Sequence, residues 1–517
     1  MMWYNLALVF PVFSALAVTV SGAAIRARGS GIDPSDFRSK GLVAIGQYSA
    51  SNRDKNGETI GGIGSAGGLV PGKFSRNGNT YSGQLYLQPD RGYNVETTIN
   101  YVSRHHQFDF QFIEYTGSDN LAFTEASKLF NITYRDTVFY RESARSNAKN
   151  TTGLDPTITR TGGLSGSRTK NGPLAAANTP ESPASLSFDT EGFSANPDGT
   201  FWVSDEYTPG IYKIAADGTI IAYITPPEAV LPLIGGKYNF TSKSAPDSGR
   251  SPNAGFEGMA VSWDGNQLFA VLQAGLVQDG GDGAPYLRIF EWDISSLSDV
   301  TSYQGGANPG DNAKLIAEYA YKVPTSKKGK ARNVSDLIYL GHKTVGILVR
   351  DGNGFGSDES GVNYKHIDIL DLSTATNLAG TKYDRATGAI APGGNLRSGI
   401  DLAAYSSLVD YTSGLTKFGM HSSDDPVDPT LLAAKIESLI LLPSLPKSSD
   451  DTDFDKDEYF IISVSDNDFQ TKDGFMRAIG AYSAQYPQNV PTQLFVFKVQ
   501  LPGVNRGDLL TRLGLSS

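Results

Sequence analysis

Phe188-Asp189-Thr190-Glu191-Gly192-Phe193, the turn Asn196-Pro197-Asp198-Gly199, and Phe201-Trp202-Val203-Ser204-Asp205-Glu206-Tyr207 form one unit: acid, apolar strand, turn, apolar strand, acid. The unit recurs. Gly255-Phe256-Glu257-Gly258-Met259-Ala260-Val261 leads through Trp263-Asp264-Gly265-Asn266 to Leu268-Phe269-Ala270-Val271-Leu272-Gln273. Asn333-Val334-Ser335-Asp336-Leu337-Ile338-Tyr339 turns at Gly341-His342-Lys343 into Val345-Gly346-Ile347-Leu348-Val349-Arg350-Asp351. Lys435-Ile436-Glu437-Ser438-Leu439-Ile440-Leu441 is followed by Tyr459-Phe460-Ile461-Ile462-Ser463-Val464-Ser465-Asp466-Asn467-Asp468. Repeated hairpins of this kind predict an all-β fold, a single β-propeller. The number of hairpin units points to about six blades, with seven as the alternative.

The rest of the chain fits that reading. Its 57 Gly, 25 Tyr and 25 Phe suit turns and aromatic strands better than helices. Leu42 to Tyr48 reads as a strand, and Val95–Val102 with Phe108–Tyr115 as a hairpin. The alternating Gln493-Leu494-Phe495-Val496-Phe497-Lys498-Val499 is placed to close the ring against N-terminal strands. Leu431 to Leu442 has the apolar content of a helix, but the repeat makes Ile436–Leu442 a strand; both stay open. Residues 143–183, rich in Ser, Thr, Asn and Gly, read as a long surface insertion.

Leu6–Val20 is apolar and exits through Ser21-Gly22-Ala23-Ala24, the pattern of a secretory signal, although no positive residue precedes it. The expected organisation is a signal peptide over 1–23, a lead-in over 24–40, the propeller over 41–502 and a tail over 503–517. No later stretch has the length of a membrane span. Sequons at Asn131, Asn150, Asn239 and Asn333 agree with a secreted, glycosylated protein. With Cys at 0, disulfides, thiol catalysis and cysteine zinc sites are excluded. The net charge of −10 argues against nucleic acid as partner. The expected partner is a small-molecule ester or phosphoester, and the expected state a monomer.

Phe256-Glu257-Gly258-Met259-Ala260-Val261, Ser204-Asp205-Glu206-Tyr207, Arg350-Asp351-Gly352-Asn353-Gly354 and Ser465-Asp466-Asn467-Asp468-Phe469 resemble the phytase-like, or "esterase-like activity of phytase", family. The resemblance is densest from Glu191 to Phe469. It implies a β-propeller found in secreted and envelope proteins, and hydrolysis of esters or phosphoesters. Arg104-His105-His106-Gln107 does not match the motif of histidine acid phosphatases. The opening Asp-Asp-Pro-Ala motif of calcium-dependent propeller phytases is not found; Asp424-Asp425-Pro426 continues with Val.

In a propeller, equivalent ends of the inner strands converge. Glu191, Glu257, Asp336 and Glu437 occupy matching places in the repeats, and Asp205, Glu206, Asp351, Asp466 and Asp468 follow the paired strands. So many carboxylates in one place repel unless protons or a cation neutralise them. Oxygen donors in this number suit Ca²⁺. The expected metal ligands are Glu191, Asp205, Glu206, Glu257, Asp336, Glu437, Asp466 and Asp468. Glu257, Asp351 and Glu191 are the candidate catalytic carboxylates, Arg350 the fork for a substrate anion, and Lys213 or Lys435 a second positive point. The competing structural reading is that these acids accept hydrogen bonds from inner-strand amides or cap turns. The preferred function is a metal-assisted hydrolase of phosphate or carboxylic esters. The alternatives are a non-catalytic ligand-binding propeller and a calcium-dependent lactonase-like propeller.

Asp451-Thr452-Asp453-Phe454-Asp455-Lys456-Asp457-Glu458 resembles a calcium loop but has Lys456 where Gly is required, so it reads as a solvated acidic hairpin. Neither a G-x-S-x-G elbow nor an H-E-x-x-H zinc motif occurs. Trp202, Phe201 and Tyr207 are expected to pack between blades.

Overall fold

Alternating and fully apolar runs of this chain bury both faces of their strands, which demands sheets stacked against sheets. In the computed structural model, residues 32–517 are described except 95–96, 143–147, 161–163, 165–172, 181–182, 303–307, 449 and 517. They form five blades of four antiparallel strands each, the second extended at its outer edge by Arg141–Glu142, which pairs parallel to the blade, and Lys149–Asn150. The first holds β2 (Ala66–Asn77), β3 (Thr80–Gln88), β4 (Arg104–Ile113) and β5 (Phe130–Phe139). The second holds β6 (Thr190–Ala195), β7 (Phe201–Asp205), β8 (Ile211–Ile214) and β9 (Thr219–Ile224). The third holds β10 (Phe256–Val261), β11 (Gln267–Leu272), β12 (Tyr286–Asp293) and β13 (Lys314–Lys322). The fourth holds β14 (Asn333–Gly341), β15 (Thr344–Arg350), β16 (Lys365–Asp371) and β17 (Ala404–Asp410). The fifth holds β18 (Lys435–Pro443), β19 (Glu458–Asp466), β20 (Thr492–Gln500) and, as its outer strand, β1 (Arg38–Tyr48). The inner strands β2, β6, β10, β14 and β18 pack in that order and back to β2 around a central channel.

The ring therefore closes by pairing the N-terminal β1 with the C-terminal β20, in register from Arg38↔Gln500 to Tyr48↔Thr492. This is the closure expected from residues 493–499. The propeller is as expected, but with five blades where counting hairpins gives about six. Ile158–Arg160, Leu174–Ala177 and Ser185–Leu186 make a separate small sheet, and Gly474–Met476 with Gly480–Tyr482 a two-stranded ribbon. The insertion expected at the surface thus includes a buried strand, Leu174–Ala177. Residues 97–102 are not strand; β4 pairs with β3 and β5 instead. Lys435–Pro443 is strand, as the repeat required.

Each junction between neighbouring blades has its own apolar cluster. Phe193 and Phe201 meet Tyr86 between the first two blades. Trp202 meets Phe256 and Trp292 at the next junction, and Phe269 meets Ile347 at the third. Leu348 meets Phe497, and Phe460 meets Phe112, at the last two. Each such side chain adds about 1.5–3 kcal/mol on burial. These faces make the ring rigid enough to hold like charges together at its axis.

A helix, α1 (Arg506–Arg512), follows the last strand. Its Leu509 and Arg512, with Leu513, line one end of the channel. Arg512 donates to Asn196 Oδ1 at 2.7 Å, and Leu513 accepts from the Gly72 amide at 2.8 Å. The expected signal peptide lies outside the described residues.

Candidate functional site at the channel mouth

Four of the five inner strands carry an extra residue near their start, opposite the end of the second strand. The extra residue falls between Thr190 and Phe193, between Phe256 and Gly258, between Val334 and Asp336, and between Ile436 and Ser438. A bulge of this kind re-aims a side chain that regular pairing would bury in the sheet. In the third and fifth blades the bulged residues are Glu257 and Glu437; in the second, Glu191 lies in the bulge. In the fourth it is Ser335, not Asp336.

That single position decides the role of Asp336. Its carboxylate accepts the amides of Leu337 at 2.7 Å and Leu439 at 2.6 Å, and also bonds the Met259 amide. Asp336 thus pins three inner strands to each other and offers nothing to the channel. Gly258 makes this approach possible: a Cβ there would stand 2.6 Å from Asp336 Cα. Ser335 Oγ instead accepts from Arg350 Nε at 3.0 Å.

Glu191, Glu206 and Asp189 bring carboxylate oxygens within 4.8 Å of one another, all three residues buried. Glu257 stands against them. Burial pushes the Glu191 carboxyl well above its ordinary value, and the charges of Glu257, Asp189, Glu206 and Glu437 add to the push. Burial likewise raises Glu257 far above the usual range, with Glu206 and Glu437 next in effect. Asp189 is pushed up to about 7 by burial, opposed by Arg91, whose Nη1 lies 2.9 Å from its Oδ2. Glu206 Oε1 and Glu257 Oε2 meet no donor group although both side chains are enclosed, and the two carboxyls lie within hydrogen-bond reach of each other, so a shared proton or a cation must satisfy them. Buried carboxylate oxygens without a donor are costly, and a cation is the group that satisfies several at once.

A second acidic group, Asp90, Asp466 and Asp468, lies beside the first, again with oxygens within 4.8 Å. Lys435 Nζ sits between two of its members, 2.8 Å from Asp466 Oδ2 and 2.7 Å from Asp468 Oδ1. Glu437 is bound by the Arg350 guanidinium, with Lys435 Nζ at 3.6 Å.

Other expected site residues lie elsewhere or are already engaged. Asp205 is a loop staple: its oxygens accept the amides of Asp189, Tyr207 and Thr208 at 2.9–3.0 Å. Asp351 accepts the amides of Asn363 and Tyr364 and pairs with Lys365 and Arg332. Lys213 lies toward the opposite end of its blade, pairs with Trp202 in register, and donates to the Leu297 carbonyl at 2.7 Å. The structure therefore joins Glu191, Glu206, Glu257, Glu437, Arg350, Lys435, Asp466 and Asp468 at one mouth. It leaves Asp205, Asp336, Asp351 and Lys213 with structural partners.

Asp189, Asp90 and Arg91 were missed from sequence. Asp189 is two residues before Glu191 in the repeat itself. Asp90 follows β3 as Glu206 follows β7, so the acid after the second strand marks it too. The Gly-rich run 60–70 is no ligand cradle. Gly61 and Gly62 lie against Phe469, and Gly64 against the Ser465 carbonyl, leaving no room for a Cβ. Asn131, Asn150 and Asn239 are exposed, whereas Asn333 is half-buried beside Arg332.

A five-bladed propeller with a carboxylate-lined channel mouth defines the class. The chain belongs to the phytase-like family described as "Esterase-like activity of phytase", which it matches over residues 78–469. A curated relative from Arthroderma benhamiae, described as an uncharacterized secreted protein, is 32% identical over 473 residues, 85% of this chain and 88% of its own. This kinship bears out the expected secretion. The PQQ-bound aldose sugar dehydrogenase from Streptomyces coelicolor is 11% identical over 90% of this chain and 98% of its own, with a TM-score of 0.27. The WD40 domain of Toxoplasma gondii coronin is 9% identical over 93% and 92%, with a TM-score of 0.27. At such scores these two likenesses carry no argument.

Proposed function

We propose that this protein is a metal-assisted hydrolase of phosphate or carboxylic esters, with Ca²⁺ held by Asp189, Glu191 and Glu206. The observation that carries the reading is the pair of enclosed oxygens without a donor, Glu206 Oε1 and Glu257 Oε2, beside that triad. A hard cation bound there would polarise an ester oxygen and offset the charge of the cluster.

The chain's own residues supply the rest. Glu257 Oε2 is the atom that takes a proton from water or returns one to the leaving group, because Gln273 holds only Oε1, at 3.0 Å. Arg91, with its Nε buried and unpartnered, and Arg350 provide positive charge at the mouth. Arg350 also borders a cleft of about 840 Å³ whose wall carries Lys327, Lys328, Lys330 and Arg332. Asp351, Asp358 and Glu359 line the same cleft, so its five cations leave a modest local excess of positive charge in a chain of net charge −10, which favours an anionic ester. The family description agrees with hydrolysis, while the fold alone does not specify chemistry.

The test is metal analysis of the purified protein together with a panel of phosphate esters, carboxylic esters and lactones, each assayed with Ca²⁺ and with chelator. Hydrolysis that requires the ion supports the reading. A protein that binds no divalent ion and hydrolyses nothing in the panel removes it.

A further inference from the structure

Of the two acidic groups at the channel mouth, only one has enclosed oxygens without a donor beside it. The other has an ammonium inside it. Lys435 Nζ donates to Asp466 Oδ2 at 2.8 Å and to Asp468 Oδ1 at 2.7 Å, and lies 3.6 Å from Glu437 Oε2. A lysine ammonium has three protons and no acceptor capacity, and here it spends two of them on Asp466 and Asp468, with the Glu437 carboxylate 3.6 Å away as the nearest further charge.

The loop that supplies these acids is built to face the lysine. Asp468 and Phe469 adopt left-handed backbone, φ +48° and +55°, which non-glycine residues rarely do. Asp466 Oδ1 accepts the Asp468 amide at 2.6 Å, and Asn467 Oδ1 accepts the amides of Phe469 and Gly62. The ring of Phe469 is locked against Gly61 and Gly62. Asp90 stands in the same group, held by the Gly92 amide and the Asn94 side chain. The spacing of the three carboxylates, within 4.8 Å, matches oxygens that share one cation with bonds of about 2.3–2.6 Å.

We infer that Lys435 is a tethered cation: its ammonium, bonded to Asp466 and Asp468, takes the place of an ion in the acidic group that these two form with Asp90. The protein then has one exchangeable divalent position, at Asp189, Glu191 and Glu206, rather than two. Asp466 and Asp468 are partners of the lysine, not ligands of a native metal. The inference goes beyond the proposed function and rests on it only for the neighbouring divalent position. Lys435 and Asp468 remain partly open to solvent, so an ion can enter once the ammonium is gone.

The experiment compares wild type, Lys435→Met and the double variant Lys435→Met/Asp468→Asn. Each is equilibrated with CaCl₂ and freed of excess ion, and its calcium per chain is measured by mass spectrometry. Melting is followed in chelator and in CaCl₂. Lys435→Met is expected to hold one more calcium than wild type, and the double variant to lose that gain. Lys435→Met is also expected to melt lower in chelator and to recover in calcium. Equal counts in Lys435→Met and wild type overturn the inference, as does a Lys435→Met chain that fails to fold with or without calcium. Counts of zero in wild type and one in the variant support it while removing the neighbouring divalent position. Counts of one and one do the reverse.

Discussion

Gln273 donates from Nε2 to Glu257 Oε1 at 3.0 Å and leaves Oε2 facing the carboxylate cluster alone. Glu257 comes from the bulge of the third blade's inner strand, and Gln273 follows the second strand of the same blade, so the blade orients its own acid. Glu257→Gln keeps the shape and removes the proton-transfer group. It is expected to lower kcat/KM about 10²–10⁴-fold on any ester the protein hydrolyses. Its melting temperature should be equal or higher, because a carboxylate raised by burial is neutralised. Gln273→Ala should cost less activity and shift the acid limb of the pH profile. Unchanged turnover in Glu257→Gln removes this carboxylate from the mechanism.

Asp336 should behave in the opposite way. Its carboxylate holds the amides of Leu337 and Leu439, and so ties the fourth blade to the fifth. Asp336→Ala leaves those amides buried without partners, at about 1–3 kcal/mol each. The expected result is a clearly lowered melting temperature with the same calcium count per chain as wild type. A lost calcium ion with unchanged melting would show Asp336 to be a ligand after all.

The contrast between Asp336 and Ser335 shows what was legible in the sequence. Hairpins, turns and ring closure follow from apolar alternation and turn residues, and these marked the propeller and the strands that bear the site. Glu257 and Glu437 align because a small residue, Gly258 in one and Ser438 in the other, follows each. In the fourth blade the acid stands one place later, and a shift of one residue turns a side chain to the other face. Bulges are set by tertiary contact rather than by composition, so Asp336 could not be told from a channel acid. Lys213 failed for a related reason: charge is visible in sequence, but which end of a blade it serves is not. The hairpin expected of Val95–Val102 with Phe108–Tyr115 failed because residues 97–102 are not strand and β4 pairs with β3 and β5, so no further blade begins there.

The enclosed carboxylates predict an unusual response to pH when no divalent ion is present. Asp189 titrates near its ordinary value of 3.8 when unfolded and at about 7 when folded. Between those values the folded state holds protons the unfolded state has released. Stability in chelator should therefore fall as pH rises from about 4 to 7, by up to about 1.4 kcal/mol per unit for such a group. Glu191 and Glu257 are shifted in the same direction. Ca²⁺ should reduce this loss, and its stabilisation should grow with pH, since binding displaces protons. Melting curves from pH 4 to 8 with and without Ca²⁺ decide the matter. Identical pH dependence in both would mean that no ion meets these groups.

His105 and His106 impose the opposite slope and can be separated from the carboxylates. Both are buried on β4; His105 Nδ1 contacts Tyr140 Oη at 3.0 Å and His106 Nδ1 contacts Thr137 Oγ1 at 2.9 Å, while both Nε2 atoms lack partners. Burial lowers His105 to about 3 and pushes His106 well below its ordinary value. The unfolded chain takes up these protons below about 6.5 and the folded chain refuses them, so their contribution is complete above pH 6.5 and is lost as pH falls towards 3. With Ca²⁺ saturating the carboxylate cluster, the remaining acid slope between pH 6.5 and 4.5 should shrink in His106→Gln relative to wild type. Some stability at neutral pH will be lost through the Thr137 contact, so the slope rather than the absolute melting temperature is the readout. A slope unchanged by the substitution would show that this histidine carries a proton in the folded protein.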